Sequence, residues 1–367
     1  MSQPGIILET PSLARALPST MRAAVYRGKG KVVVETVPVP AIGAGEVLIR
    51  VAACGICGTD LKKIEYGFVA APQIFGHEVS GTVAAVGLGV TKWKLGDRVM
   101  SFHHVPCGTC FYCQRRLFSQ CPEYKKVGLT AGFDPNGGGF AQYVRALPWV
   151  AERGMVAIPE GVSFDEASFI EPVNTCIKAV EKARVAVGET AVIMGLGPIG
   201  LLLAMLSKLE GATVIGSDPM PERRAKSLSL GVDLAVDPRE GRLGEEISSR
   251  TQGRGADVVL VAVPIPAALT DALNLARPGG RVLLFAQNDP LMKIEFPAAA
   301  VGVQEKEILG SYSAAIDRAG EAARLIFSHK LPVKQLISHH FSLEDMERAL
   351  QLAARPEGDS LKVVIHP

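Results

Sequence analysis

Four cysteines lie close together in the first half of the chain. Cys107, Cys110, Cys113 and Cys121 follow the spacing C-x2-C-x2-C-x7-C. Four thiolates on one short lobe can surround Zn²⁺ tetrahedrally, and structural zinc sites are usually closed in this way. An iron–sulfur site would use the same ligands, and disulfides would need an oxidising compartment. Residues 1–20 lack the charged and apolar segments of a signal peptide, so structural zinc is the favoured prediction.

A second, sparser set of metal-type residues lies on both sides of this lobe. Cys57 stands in GICGTD, His77 and Glu78 stand in GHE, and Glu171 follows much later. Cysteine, histidine and carboxylate are donors for Zn²⁺, and a catalytic zinc keeps one position open for water or substrate. Each residue alone would more often belong to the core. Cys54 and Cys57 also form C-x2-C, but no βαβ pattern surrounds them, which disfavours a thioredoxin-like redox motif.

A glycine-rich turn in the second half has the spacing G-x-G-x-x-G. It directly follows the apolar segment 191–194 and opens a helical segment, which is the context that a dinucleotide-binding turn requires. Glycines there allow the pyrophosphate to approach the N-terminus of the helix, where free N–H groups favour an anion. The candidate cofactor-binding residues of the turn are Gly195, Gly197, Pro198, Ile199 and Gly200.

Asp218 predicts which dinucleotide is bound. It lies 18 residues after Gly200, at the end of the next predicted strand. A carboxylate there can accept hydrogen bonds from the adenosine ribose hydroxyls and would repel a 2′-phosphate, which favours NAD over NADP. Arg223 and Arg224 lie nearby, and an arginine could instead accommodate a phosphate.

Composition limits the function classes. The 367 residues suggest two domains, and 48% hydrophobic residues can build a sizeable core. Lys plus Arg number 39 against 37 Asp plus Glu, which gives no electrostatic footprint for nucleic acid or a membrane surface. No apolar run approaches the roughly 20 residues of a membrane span. Seven cysteines without an export signal predict a reducing, cytoplasmic location.

The elements that must position these residues change in character near residue 175. Before it, short strand patterns separated by Gly and Pro predict a β-barrel or sandwich whose loops carry the cysteines. After it, apolar strands alternate with helical segments, which predicts βαβ units and a parallel sheet buried on both faces. From about residue 315 a helix, a strand, a helix and a final strand follow, and their pattern leaves open which domain they pack on.

From Met21 onward, GICGTD, GHE, the cysteine lobe, EPVNT and GLGPIG occur in the order of a known family. The chain resembles the zinc-dependent medium-chain alcohol dehydrogenases, in their polyol (sorbitol-like) and threonine dehydrogenase branch. This resemblance implies a GroES-like β-rich catalytic domain with an inserted Rossmann domain, a doubly wound parallel sheet. The expected division is 1–175 for the catalytic domain with the structural zinc lobe at 107–121, 176–314 for the NAD-binding domain, and 315–367 for a return to the catalytic domain. It also implies two zinc ions per chain, NAD, and a homodimer or homotetramer.

The resemblance further implies roles for single residues. Cys57, His77 and a carboxylate would hold the catalytic zinc. Either Glu78 is the ligand and Glu171 holds the zinc-bound water, or Glu171 is the ligand, or a zinc that exchanges ligands during turnover uses both. The other implied roles are a substrate-proton carrier at Thr59, a carboxylate orienting the zinc-bound histidine at Asp60, a neighbour of the nicotinamide at Thr175 and a pyrophosphate contact at Lys362. Lys62 departs from the family, many members of which have a relay histidine there. A charged lysine accepts no hydrogen bond, so the outer relay depends on a lowered pKa of Lys62.

The predicted activity is hydride transfer between NAD and a secondary alcohol, with zinc as the Lewis acid. A charged carboxylate near the zinc can bind a second hydroxyl, which favours a polyol, sugar or vicinal diol over a simple alkanol. The alternatives are an L-threonine 3-dehydrogenase, a zinc-independent quinone-type reductase, and a non-catalytic NAD- or zinc-binding protein. The candidate ligands Cys57, His77 and Glu78 disfavour the last two.

Overall fold

The computed structural model describes residues 17–124, 126, 128–133, 137–286 and 293–367, so most of the expected N-terminal extension 1–20 lies outside the described residues. The strands, in chain order, are β1 (Thr20–Gly28), β2 (Lys31–Pro38), β3 (Val47–Gly55), β4 (Gln73–Ile74), β5 (Glu78–Val86), β6 (Arg98–Ser101), β7 (Leu129–Thr130), β8 (Tyr143–Ala146), β9 (Met155–Ala157), β10 (Thr190–Met194), β11 (Thr213–Ser217), β12 (Leu234–Val236), β13 (Ala256–Val261), β14 (Ala276–Leu284), β15 (Glu307–Gly310), β16 (Ile337–Ser342) and β17 (Lys362–His366).

The α-helices are α1 (Gly58–Tyr66), α2 (Phe111–Gln114), α3 (Pro148–Arg153), α4 (Phe164–Ser168), α5 (Ile170–Ala183), α6 (Pro198–Leu209), α7 (Pro221–Ser229), α8 (Leu243–Arg250), α9 (Pro266–Leu275), α10 (Ala298–Gly302), α11 (Ala319–Phe327) and α12 (Met346–Ala354). Among the residues with a described structure, none of these helices is both long and apolar enough to cross a membrane.

The N-terminal half is built on antiparallel strands. A large sheet has the order β16-β17-β3-β5-β6-β9, with β8 pairing to β3 and β7, and a smaller sheet has the order β2-β1-β4. The inner faces carry apolar side chains such as Val47, Ile49 and Val79, which are fully buried in one core. The half-barrel that results places the end of β3 beside the start of β5, because these two strands pair along their whole length.

The middle of the chain forms a second, parallel sheet in the order β12-β11-β10-β13-β14-β15. This is the doubly wound order, in which ligands bind at the carboxyl ends of the strands where the order reverses, here between β10 and β13. Every residue of β10 is buried, as expected for a strand covered by helices on both faces. The predicted fold class, a GroES-like β-rich part with a Rossmann sheet, is confirmed.

The C-terminal residues return to the first sheet, which answers the question that the pattern after residue 315 left open. Strand β17 pairs with β3 through Ile365 and Cys54, and β16 pairs with β17 in parallel. Helix α11 packs on α5, whereas α12 packs on β17. The expected boundary at residue 175 falls inside α5, and the division of the chain into 1–175, 176–314 and 315–367 stays a prediction.

Candidate active site

The loop between β3 and α1 holds the first candidate zinc ligand. Cys57 is the residue before α1, and its backbone N–H donates to Asp60 Oδ2 at 3.1 Å. Asp60 is buried, and its Oδ1 lies 3.2 Å from Nδ1 of His77. One carboxylate therefore fixes both the cysteine loop and the imidazole ring, as expected for a residue that orients a metal-bound histidine.

The second candidate ligand segment begins β5. Glu78 is its first residue and lies opposite Gly55 of β3 in the antiparallel ladder. The ammonium of Lys362 on β17 lies 2.6 Å from Glu78 Oε1 and 3.0 Å from the carbonyl oxygen of Ile56. Both charged side chains are buried. In this conformation Lys362 faces Glu78, and its contact with the cofactor pyrophosphate stays a prediction.

Three ligand atoms, one each from Cys57, His77 and Glu78, lie within 4.8 Å of one another. Glu171 is not a member of this group, although its charge interacts with His77 and Glu78. Burial raises the pKa of Glu171 to about 7; His77 opposes this rise and the charge of Glu78 adds to it. Glu78 is therefore the carboxylate that the fold brings to ligand distance, with Glu171 beside the group.

The charge of this group fits a bound cation. Burial lowers the pKa of His77, but the charges of Asp60 and Cys57 outweigh burial and hold the pKa well above its usual value. A largely buried site that favours a positive charge, with cysteine, histidine and carboxylate as its ligands, suits Zn²⁺. Among the described residues three donors converge, which leaves a fourth position for water or substrate.

The four-cysteine lobe has the dimensions of a closed zinc site. The Sγ atom of Cys107 lies 3.9 Å from that of Cys113 and 3.6 Å from that of Cys121. Zn–S bonds of about 2.3 Å place tetrahedral sulfurs roughly 3.8 Å apart. Hydrogen bonds from Thr109, the backbone N–H first, lower the pKa of Cys107 to about 6, which favours the thiolate. All four thiols are free rather than disulfide-bonded, and the lobe fits structural zinc.

The glycine turn joins β10 to α6, and a Cβ on Gly195 or Gly200 would clash. On Gly195 it would lie 2.4 Å from Val263 Cγ1. A Cβ on Gly200 would lie 1.7 Å from the carbonyl oxygen of Gly195, so the turn and the helix pack in direct backbone contact. A Cβ on Gly197 would instead meet only the Arg223 guanidinium, with Nη1 at 3.7 Å in ordinary contact. A glycine turn at a helix N-terminus with a guanidinium beside it fits a pyrophosphate.

Asp218 reaches back to the same turn. Its Oδ2 accepts from the N–H of Leu196 at 2.8 Å and its Oδ1 from the N–H of Met220 at 2.9 Å. A carboxylate has about four acceptor sites, so capacity remains for ribose hydroxyls. Arg223 Nη1 lies 3.7 Å from the Asp218 carboxylate, whereas Arg224 binds the carbonyl of Asp218 and holds the loop.

Helix α5 connects the candidate zinc ligands Cys57, His77 and Glu78 to the glycine turn. Glu171 stands in its first turn, and Thr175 follows one turn later with its hydroxyl donating to the Pro172 carbonyl at 2.8 Å. The Sγ of Cys176 lies 4.0 Å from the carbonyl oxygen of Ile199 in the glycine turn. A single rigid element therefore sets the spacing between the two halves of the site.

The first two turns of α1 carry Thr59 and Lys62, the two residues of the expected proton path. Thr59 and Lys62 are both half-buried on this helix. Burial lowers the pKa of Lys62, and the charge of Cys57 opposes this effect in part. A lysine can act as a relay only if its pKa is lowered, and the pKa of Lys62 is shifted in that direction.

A row of aromatic rings that the sequence did not predict lies beside the candidate zinc ligand His77. The His77 ring lies 4.8 Å from that of His103, which lies 3.7 Å from His104, and His104 lies 5.1 Å from Tyr124. The Tyr124 hydroxyl is 2.8 Å from Ser313 Oγ. In the sequence, only the adjacent histidines His103 and His104 before the cysteine lobe could have indicated this row. Their local sequence does not show that they face His77.

Comparisons with known proteins agree with this geometry. The family model of the alcohol dehydrogenase GroES-like domain matches residues 43–160, and that of the zinc-binding dehydrogenase matches residues 198–328. Sorbitol dehydrogenase of Bacillus subtilis (strain 168) is 33% identical over 364 residues, covering 97% of this chain and 99% of the relative. The chain belongs to the zinc-dependent medium-chain alcohol dehydrogenases. As a member of this family, it is an oxidoreductase that acts on a CH–OH group with zinc and NAD(P).

Further relatives mark the range of the family. L-threonine 3-dehydrogenase of Pyrococcus furiosus is 32% identical over 330 residues, covering 86% of this chain and 90% of the relative. A zinc-binding dehydrogenase from Sinorhizobium meliloti 1021, solved bound to NADP, has a TM-score of 0.85 at 29% identity, covering 95% of this chain and all of that chain. The expected membership in the polyol and threonine dehydrogenase branch is confirmed.

Proposed function

We propose that the chain is an NAD-linked dehydrogenase of a polyol, sugar or vicinal diol. The observation that carries this proposal is the convergence of Cys57, His77 and Glu78 beside the buried carboxylate of Glu171. These residues would hold the catalytic zinc, and Cys107, Cys110, Cys113 and Cys121 the structural zinc.

The chain's own residues prepare the site for this reaction. When bound, zinc supplies Lewis acidity that lowers the pKa of the substrate hydroxyl, and NAD accepts the hydride. Asp60 holds the His77 ring by the 3.2 Å contact to Nδ1. The Thr59 hydroxyl takes the substrate proton and passes it outward along α1 toward Lys62. Lys62, with its lowered pKa, is the group that replaces the usual relay histidine.

The carboxylates beside the zinc group favour a substrate with more than one polar group. Glu171 is buried, and above its pKa of about 7 its carboxylate can accept a hydrogen bond from a second hydroxyl next to the reacting carbon. Hydrogen bonds to charged groups contribute about 1.5–3 kcal/mol, enough to separate a polyol from a simple alkanol. The similarity to the sorbitol dehydrogenase of Bacillus subtilis supports the same class.

L-Threonine is the second candidate substrate, because the chain is similar to an L-threonine 3-dehydrogenase over 86% of its length. Threonine has a secondary hydroxyl next to a carbon that carries an ammonium group. The same carboxylate, Glu171, could pair with that ammonium, so the geometry alone does not separate the two classes.

Asp218 supports NAD as the cofactor, since its buried carboxylate lies where a 2′-phosphate would meet a negative charge. Arg223 lies at the same place, and the structural relative from Sinorhizobium meliloti was solved with NADP. Parallel assays with NAD⁺ and NADP⁺ test this preference.

The test is NADH or NADPH formation by zinc-loaded protein with sorbitol and other polyols, 2,3-butanediol, 2-propanol and L-threonine. A polyol or diol with the highest kcat/KM and NAD⁺ as the better acceptor supports the proposal. L-Threonine as the best substrate selects the second candidate, and 2-propanol as the best substrate contradicts the role of Glu171. The cytoplasmic location, the homodimer or homotetramer, and the division into two domains stay predictions.

A further inference from the structure

A third group of metal-type side chains lies away from both zinc groups, on the surface where α4 meets the C-terminal strand pair. Asp165, His340 and His366 each offer one ligand atom, and these atoms lie within 4.8 Å of one another. Asp165 Oδ1 is 2.7 Å from His366 Nε2, and its Oδ2 is 3.5 Å from His340 Nδ1. The two imidazole rings are 5.0 Å apart.

The register of the parallel strands brings the two histidines together. His340 of β16 pairs with Val364 of β17, and Ser342 pairs with His366. Because residues two apart along a strand share a face, His340 and His366 are diagonal neighbours on one side of the pair. His339 points to the other side, where its Nδ1 lies 3.0 Å from Ser338 Oγ.

Asp165 comes from a different element. It stands in the first turn of α4, where Ser163 and Glu166 form a reciprocal cap that fixes the start of the helix. The capping bonds use Ser163 and Glu166, and so leave the Asp165 carboxylate to face the two histidines. Three elements that are distant in sequence therefore present two imidazoles and one carboxylate to the same point.

The dimensions suit a small divalent ion. Bonds of about 2.0–2.2 Å to nitrogen and oxygen place tetrahedral ligand atoms roughly 3.3–3.6 Å apart. The 3.5 Å contact of Asp165 with His340 already has this length, and the 2.7 Å contact with His366 would open by less than 1 Å. The side chains are 21%, 49% and 45% exposed for Asp165, His340 and His366, so an ion can enter from solvent and water can complete its shell.

We propose that Asp165, His340 and His366 form a third metal site, which binds a divalent transition ion of the zinc and nickel type. Two imidazoles with one carboxylate select such ions over Mg²⁺ and Ca²⁺, which prefer oxygen ligands. The site differs from the two zinc groups in having no thiolate and in facing solvent.

Metal bound here joins two segments that lead into the active site. Asp165 stands six residues before Glu171, just ahead of α5, and His366 stands four residues after Lys362 on β17. An ion that ties α4 to β16 and β17 resists separation of these elements. The site is therefore a clamp on the edge of the sheet that carries the Lys362–Glu78 pair.

The experiment uses untagged, full-length protein already loaded with its tightly bound zinc. Equilibrium dialysis against Ni²⁺ and, separately, Zn²⁺ would be followed by metal analysis. The variants are His340→Ala and His366→Ala, with His339→Ala as the matched control on the adjacent, opposite-facing position. Activity and the tightly bound zinc content, measured in every variant, show that each remains folded.

We expect one additional metal equivalent per chain in the native protein and in His339→Ala, and its loss in His340→Ala and in His366→Ala. Added Ni²⁺ should raise the melting temperature of the native protein and of His339→Ala, but not that of His340→Ala or His366→Ala. An additional equivalent that both cluster variants retain, or its absence from the native protein at millimolar metal, would overturn the proposal. The outcome is independent of the substrate, so it stands apart from the proposed dehydrogenase activity.

Discussion

Gly55 and Gly58 lie three residues apart on either side of Cys57, and the structure predicts opposite results when each is changed to alanine. Gly55 is buried at the end of β3, and a Cβ there would lie 2.0 Å from Glu78 Oε2 and 2.6 Å from Lys362 Cε. Gly58 is exposed at the start of α1, with no atom within 4 Å of an added Cβ. The pair separates the effect of position from that of the added methyl group.

The expected loss of stability and activity in Gly55→Ala follows from how far the Glu78 carboxylate must move away from the added Cβ. Ordinary contact begins at 3.4 Å, so the carboxylate of Glu78 must retreat by about 1.4 Å. It is the end of a flexible side chain, but it is buried and paired with Lys362, so both must move. Overpacking of this kind costs about 1–3 kcal/mol, and a misplacement of about 1 Å at a reacting centre can lower the rate about 100-fold.

Gly58→Ala should behave differently, because its φ angle lies outside the left-handed region and its Cβ meets open space. Replacing such a glycine stabilises a protein by at most about 0.4–1 kcal/mol. We therefore expect an unfolding free energy equal to or slightly above that of the native protein. The kcat/KM should stay within about threefold of the native value, since each 1.36 kcal/mol in the barrier changes the rate about tenfold.

The assay measures urea unfolding, zinc content and kcat/KM on the best substrate for both variants. Gly55→Ala should lower the unfolding free energy and the rate while the structural zinc stays bound. Native activity of Gly55→Ala would show that Glu78 and Lys362 are not held at this place. An equal loss in Gly58→Ala would show that any methyl group in this loop is harmful.

Three further predictions test other parts of the site. Cys113→Ser should lose one of the two tightly bound zinc ions per chain and lower the melting temperature, since Cys113 is a buried member of the lobe; retention of both ions, by metal analysis, would contradict a structural zinc there. Assayed above pH 7, where Glu171 is ionised, Glu171→Gln should lower kcat/KM for the best polyol relative to 2-propanol by about tenfold or more. The reason is that a hydrogen bond to a charged acceptor is weakened, and an unchanged ratio would count against the polyol assignment. Burial lowers the pKa of Lys62, so Lys62 becomes a neutral proton acceptor at a lower pH than a solvent-exposed lysine, and activity should rise as the pH increases through that pKa. Lys62→Met should remove this rise from the pH profile of kcat/KM. A profile identical to that of the native protein would exclude a relay role.

The sequence by itself determined the features that depend on neighbouring residues. The four cysteines from Cys107 to Cys121 are close in space because a short lobe cannot separate them far, and their spacing was sufficient to predict a closed site. The glycine turn at 195–200 needs only the strand before it and the helix after it, so its place between β10 and α6 followed from the pattern. Alternation of strands and helices likewise predicted the parallel sheet.

Only the tertiary structure decided which distant residues meet. Lys362 and Glu78 are 284 residues apart, and they touch because β17 and β5 both pair with β3. The same pairing brings Glu78 rather than Glu171 into the ligand group with Cys57 and His77. The sequence could not rank the two carboxylates, because each stands in a short local motif that contains no information on its distance from Cys57 and His77. Strand register and packing, which sum over many weak contacts, fix such distances, whereas residue types and local spacing fix only the chemistry available.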